Sequence, residues 1–213
     1  MTLFYTDYPD NALRFGDVVK GYISATPVIQ KPTIGGDNDG FRIEIEKPAF
    51  CVILSPSCSI RNKSISLTPL LPIRQTFFTN PIFVKDLTAI NRELEPEEAI
   101  PPEAWNDIPY DKKQERLAKG RGYVFPSLFV YENHDLLPKY EIHRKAENIM
   151  TTYYMADFTN TYRLGCEEII SPSNSPIYSK CLQPSEQTRL ELLYKIVGYY
   201  NRVSKENVAE PEE

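Results

Sequence analysis

Apolar positions come in short runs separated by turn residues, and the period of each run predicts its element. Gly16 and Asp17 signal a turn, and the apolar residues from Val18 to Ile23 predict a first strand. Pro27, Pro32, Gly35-Gly36 and the polar run Asp37-Asn38-Asp39-Gly40 predict a loop over residues 26–40. Phe41–Glu46 alternates apolar and charged residues, the pattern of a strand with one buried and one wet face. Residues 48–54 are almost wholly apolar and end at Ser55, which predicts a central strand covered on both faces. Residues 64–73 resume strand character, and Pro69 and Pro72 within them point to an edge or a bulge.

The pattern changes over residues 83–121. A short helix is predicted within 84–94, an acidic Pro-rich stretch over 95–102 and a charged helix over 111–119. The whole stretch reads as an insertion more mobile than the core. Strand signals return at 122–131, 150–154 and 156–164, and residues 167–180 read as a loop. The clearest helix follows Pro184 and Ser185, with Ser185 as N-cap and Glu186 in the first turn. Leu190, Leu193, Tyr194 and Val197 share one face at helical spacing, widened by Leu192, Ile196, Tyr199 and Val203, so this face is expected to pack deeply.

Composition supports strands over long helices. The chain has 14 Tyr and 10 Phe, which suit pleated surfaces, and 18 Pro, which divide it into short segments. The predicted class is mainly β with α (α+β), one domain over residues 1–204. Its core is expected at 15–73 and 122–165, closed by a helix at 185–204 and followed by a frayed acidic tail at 205–213. The net charge of −5 gives no long-range attraction to nucleic acid or anionic lipid, though it leaves room for a local basic groove.

Cys51, Cys58, Cys166 and Cys181 form no CxxC and no zinc spacing. The N-terminal residues lack a basic stretch followed by an apolar one, and no apolar run approaches the ~20 residues of a membrane span. A cytoplasmic, reduced protein without membrane contact is expected. No Walker A, GxGxxG, HExxH or GxSxG pattern is present, so neither a cofactor nor a metal is called for.

Three stretches in combination carry a resemblance: Phe15-Gly16-Asp17-Val18-Val19, Lys47-Pro48-Ala49-Phe50-Cys51-Val52-Ile53-Leu54-Ser55, and Ser66-Leu67-Thr68-Pro69-Leu70. Together they resemble the opening of MazF/PemK-like toxins over residues 15–73, about the first third of the chain. The resemblance implies a small SH3-like β-barrel with added helices, and a sequence-specific endoribonuclease neutralised by an antitoxin that fills the RNA groove. The remainder is similar to uncharacterised bacterial proteins with the same opening, here matched by Ser55-Pro56-Ser57-Cys58-Ser59 and by residues 182–190. Relatives of that kind tend to sit in bacterial defence or toxin-like neighbourhoods.

The resemblance aligns Lys47 and Thr68 with the Arg and the Ser or Thr that flank the scissile phosphate in the family. Lys keeps the charge of Arg but loses its bidentate fork. Cleavage through a 2′-OH also needs a base and an acid, for which Glu44, Glu46 and Asp17 are candidates or else plain solvated carboxylates.

Cys58 lies near Arg61 and Lys63, cations that favour a thiolate. A thiol nucleophile would further need His134 or His143 to fold back, and otherwise Cys58 is an inert thiol. Two basic clusters could meet a phosphate backbone. One is Arg61, Lys63 and Arg74. The other is Lys112, Lys113, Arg116, Lys119 and Arg121, with Tyr110, Tyr123 and Phe125 for stacking, or else a solvated helix face.

The expectation is a non-catalytic interaction or regulatory protein of a bacterial multi-component system, of defence or toxin–antitoxin type, that docks a protein partner through the barrel and the insertion. The alternative is an RNA-binding or RNA-cleaving protein of the resembled type. A homodimer is compatible with either.

Overall fold

The computed structural model describes residues 3–21, 24–29, 41–61, 64–80, 82–94, 98, 102–118, 125–144, 147–165 and 180–206. The strands are β1 (Val18–Lys20), β2 (Ser24–Ile29), β3 (Phe41–Glu46), β4 (Phe50–Ile53), β5 (Ser64–Pro72), β6 (Leu128–Tyr131), β7 (Tyr140–Arg144), β8 (Glu147–Thr151), β9 (Tyr154–Asp157), β10 (Tyr162–Gly165) and β11 (Lys180–Leu182). The helices are α1 (Ser57–Arg61), α2 (Pro102–Asn106), α3 (Tyr110–Ala118) and α4 (Glu186–Glu206).

Seven strands form one antiparallel sheet in the order β11-β1-β4-β5-β9-β6, with β10 also on β5. The fold is α+β. Among the described residues the sheet does not close into a barrel: β11 and β6 are its two ends. β9 and β10 lie along the same side of β5. Leu70–Pro72 pairs with β9 and Ser64–Leu67 with β10. Between them the chain leaves the ladder in a 3-10 turn, Phe158–Asn160. Pro69 falls opposite this break, which is where a strand tolerates a residue without an N–H. The Thr68 hydroxyl donates to the carbonyl of Asp157 there at 2.8 Å, satisfying a buried acceptor at the break.

Period-2 alternation sorts the sheet residues onto two buried faces. Val18, Val52, Leu70, Phe129, Tyr131 and Ala156 share one core with Phe4, Leu192 and Ile196. Val19, Cys51, Ile53, Ile65 and Leu67 face the other way, against Ile60 of α1. Leu128, Val130 and Met155 continue that face beneath Phe77, Phe83, Leu87 and Ile90. The central strands are therefore apolar on both sides, as the run over residues 48–54 predicts.

Two close approaches require glycine. Gly16 adopts φ +86°, donates to Ile53 O at 2.7 Å and sits against the Arg189 side chain. A Cβ at Gly21 would fall 1.6 Å from the carbonyl oxygen of Pro48.

Several expectations need correction. β2 runs from Ser24 into the predicted loop as far as Ile29, since its backbone pairs with β3 from Ser24↔Glu46 to Ile29↔Phe41. The β2–β3 hairpin stands outside the main sheet, so Ile43 and Ile45 of β3 face solvent rather than a core. Phe83, Leu87, Ala89, Ile90 and Asn91 are buried, so the start of the expected insertion is core, organised by the 3-10 turn Leu87–Asn91. β11 begins at Lys180, at the end of the predicted loop. Residues 30–40, 166–179 and the tail 207–213 lie outside the described residues.

The main correction concerns α4. The helix starts where predicted, with the Ser185 hydroxyl accepting from Thr188 N at 3.2 Å. Its buried face, however, is Thr188, Leu192, Lys195 and Ile196. Leu190, Leu193, Tyr194 and Val197, the stripe expected to pack, are exposed. Hydrogen bonds set the rotation. Thr188 Oγ1 donates to Phe4 O at 2.9 Å, and the Lys195 ammonium donates to Ile90 O.

Candidate functional site

The outer face of α4 is built by what holds its inner face. The N-terminal segment crosses beneath the helix start, with Thr6 N donating to Gln183 O at 3.0 Å and Ser185 N to Phe4 O at 2.8 Å. Leu192 and Ile196 enter the sheet core, and Lys195 is fully buried against the 3-10 turn at Ile90. Burial lowers the Lys195 amine from 10.5 to about 7. With that side pinned, five large apolar side chains are left in water: Leu190 at 41% exposure, Leu193 at 42%, Tyr194 at 67%, Val197 at 47% and Tyr200 at 54%. They follow one another at i, i+3, i+4, i+7 and i+10 along a 21-residue helix. They form a contiguous exposed apolar stripe.

Beside the start of α4, an ion pair ties β11 to the segment before β1. Lys180 Nζ lies 2.9 Å from Asp17 Oδ2 and also bonds Asp10 O, Ala12 O and Gln183 Oε1. Asp17 is fully buried; Arg14 N donates to its Oδ2 at 2.9 Å, while Oδ1 has no partner among the described residues. Burial pushes the Asp17 carboxyl up, against the pull of Lys180. Lys180 also lines a surface cavity of ≈ 190 Å³ with Asp10, Asn11, Leu13 and Cys181. The ammonium is committed to this latch, and burial raises the Cys181 thiol, so the cavity presents neither a free amine nor a thiolate.

The residues singled out from sequence are dispersed. Lys47 is exposed between β3 and β4, whereas Thr68 is fully buried with its hydroxyl bonded to Asp157. The two therefore do not line one accessible groove. Glu46 is exposed, Glu44 is half-buried, and Asp17 belongs to the latch.

Cys58 is a free, exposed thiol on α1. His134 accepts from Leu136 N and packs edge-on against Tyr5, and His143 pairs with Asn148 at 2.7 Å. Among the described residues neither histidine bonds Cys58. No three His, Cys, Asp or Glu among the described residues gather as metal ligands, and no described helix is long and apolar enough to cross a membrane.

Arg74 pairs with Asp157 at 3.3 Å and Lys112 with Glu115 at 3.3 Å. Arg61 ends α1 and Arg116 lies in α3. The side chains of both, and all of Lys63, Lys119, Arg121 and Tyr123, lie outside the described residues. Phe125, expected to offer a stacking face, instead joins Phe77 and Phe83 with ring centroids 4.8 and 5.8 Å away. Sequence reasoning missed the outer stripe because it assigned those residues to the core. The signal was present: α4 carries more apolar arc than one packed face needs.

No family model, no curated protein and no solved structure matches the chain.

Proposed function

We propose that the chain is a non-catalytic interaction protein, a docking or regulatory component of a bacterial multi-component system, built on a PemK-like strand arrangement that is open rather than closed. The observation that carries this reading is the exposed stripe Leu190, Leu193, Tyr194, Val197 and Tyr200 on a helix whose opposite face is fully engaged. Leaving so much apolar area in water is unfavourable by about 25 cal/mol per Å², and a partner removes that cost. The titratable groups that are buried serve structure: Asp17 and Lys180 hold β11, and Lys195 holds the turn at Ile90. The PemK-like relationship is supported by adjacency. The three stretches that carry the resemblance fall on β1, β4 and β5, which are consecutive antiparallel neighbours.

The test asks whether the stripe is covered in the cell. Leu193→Cys and Leu136→Cys each place a thiol at an exposed position, the second in the loop after β6. A membrane-permeant maleimide, read site by site by mass spectrometry, should label position 193 much more slowly than position 136 in intact cells. In dilute purified protein the two should label alike. Equal labelling at both sites in cells would overturn the reading.

A further inference from the structure

Residues 6–14 form a strap that is tied to the rest of the molecule mainly by polar groups. Thr6 N donates to Gln183 O at 3.0 Å, Asp10 N to Gln183 Oε1 at 3.0 Å and Arg14 N to Asp17 Oδ2 at 2.9 Å. Between these ties the strap faces β11 across the cavity lined by Asp10, Asn11, Leu13, Lys180 and Cys181. Lys180 joins the two sides. Its ammonium lies 2.9 Å from Asp17 Oδ2 and donates to Asp10 O at 3.0 Å, Ala12 O at 2.8 Å and Gln183 Oε1 at 2.6 Å. An ammonium has three hydrogens. Lys180 therefore keeps a full set of acceptors whether or not Asp17 carries a charge.

The two oxygens of Asp17 are treated unequally. Oδ2 meets Lys180 and the Arg14 amide, while Oδ1 is buried with no donor among the described residues. A carboxylate oxygen removed from water without a donor is costly, and a proton on Oδ1 removes that cost. The charged and titratable groups around Asp17 are Lys180 from β11, Asp10 and Arg14 from the strap, Arg189 from α4 and Tyr131 from β6. Burial raises the carboxyl, and the pull of Lys180 and Arg189 does not offset it. Moving the strap removes the Arg14 amide and admits water, which returns Asp17 to an ordinary carboxylate.

The closed strap thus binds a proton more tightly than the open one. As pH falls through the raised value of Asp17 the closed form gains, and as pH rises through it the closed form loses. Asp10 has the opposite sign. It is exposed and held below the usual carboxylate range by Arg14, so it loosens the strap only in stronger acid.

We propose that the strap is a proton-coupled closure: it opens with release of a proton from Asp17 to water, and it closes more firmly as the medium turns mildly acidic. Opening removes the strap's wall of the cavity beside Cys181.

Amide hydrogen exchange of the purified full chain, read residue by residue by NMR between pH 7 and 5 and corrected for the chemical exchange rate, tests the proposal. Protection at Thr6, Asp10 and Arg14 should rise on acidification, by up to tenfold per pH unit. Gly21 N and Leu54 N, bonded to Ala49 O and Ser66 O within the body, should not follow. A flat profile at the strap amides overturns the proposal. An equal rise at Gly21 and Leu54 also overturns it, because the proton is then coupled to global unfolding. Asp17→Asn should erase the trend, and Asp10→Asn, at an exposed position, should keep it. A trend that survives Asp17→Asn, or that vanishes in Asp10→Asn, assigns the proton to another group and overturns the role of Asp17.

Discussion

The two sides of α4 use similar side chains for opposite ends. On the inner side Leu192 and Ile196 are buried with Phe129, Tyr131 and Phe158 in the sheet core. One residue further round, Leu193 and Val197 stand in water. Both sides are apolar, and the inner side also carries Thr188 and Lys195, the less apolar members by residue type. What separates the two sides is whether backbone carbonyls wait beneath them. Thr188 donates to Phe4 O, which also accepts from Ser185 N, and Lys195 donates to Ile90 O. A helix is thus oriented by its few polar partners as much as by its apolar residues, and the apolar surplus stays exposed.

The largest loss is expected from cutting the latch between Lys180 and Asp17. Lys180→Met leaves the Asp17 carboxylate buried without its cation, and a loss of about 3–5 kcal/mol is expected in urea denaturation. Adding Asp17→Asn in the same chain should restore much of that loss, because no unpaired charge remains. Failure of the second change to compensate would mean that the latch acts through shape and not charge.

Adjacent leucines sharpen the contrast. Leu192→Ala should cost about 2–5 kcal/mol, the range for a buried leucine, whereas Leu193→Ala should change the stability of the dilute protein by less than about 0.5 kcal/mol. Similar losses at the two positions would contradict the assigned rotation of α4.

The smallest effect is a pH dependence. Below about pH 7 Lys195 is protonated whether the chain is folded or not, so the cost of burying its charge is constant. Above that value the folded protein releases the proton, while the unfolded chain keeps it up to its ordinary 10.5. Stability should therefore rise with pH. Measured as the difference between wild type and Lys195→Met, the gain is about 2 kcal/mol between about pH 7 and 8.5. A flat difference over that window would show that the amine is not desolvated at the interface with Ile90.

Much of the scaffold was legible in the residues alone. Ser185 announces the helix start and caps it, and the nearly unbroken apolar run into Ile53 announces a strand covered on both faces. Pro69 and Pro72 point to an edge or a bulge, yet β5 is a central strand between β4 on one side and β9 and β10 on the other. The candidate site was not legible. Leu190, Leu193, Tyr194 and Val197 satisfy helical periodicity as well as Leu192 and Ile196 do, so periodicity has two solutions on this helix. β3 misleads in the same way: its alternation is real, but Ile43 and Ile45 are exposed, and among the described residues the hairpin pairs only with itself. Thr68 matched a motif, yet the pleat turns it inward to Asp157.

Local chemistry, which each residue carries with it, determined the class of elements: turns at glycine and proline, strands where apolar residues run together, a capped helix after Ser185. Long-range geometry decided everything that depends on a partner distant in the chain. Asp17 meets Lys180, Lys195 meets Ile90, and Thr188 meets Phe4 only in the folded arrangement. Those meetings choose which stripe of α4 is interior. A pattern of spacing states that a helix has a face, but the face that turns inward is chosen by the wall it packs against.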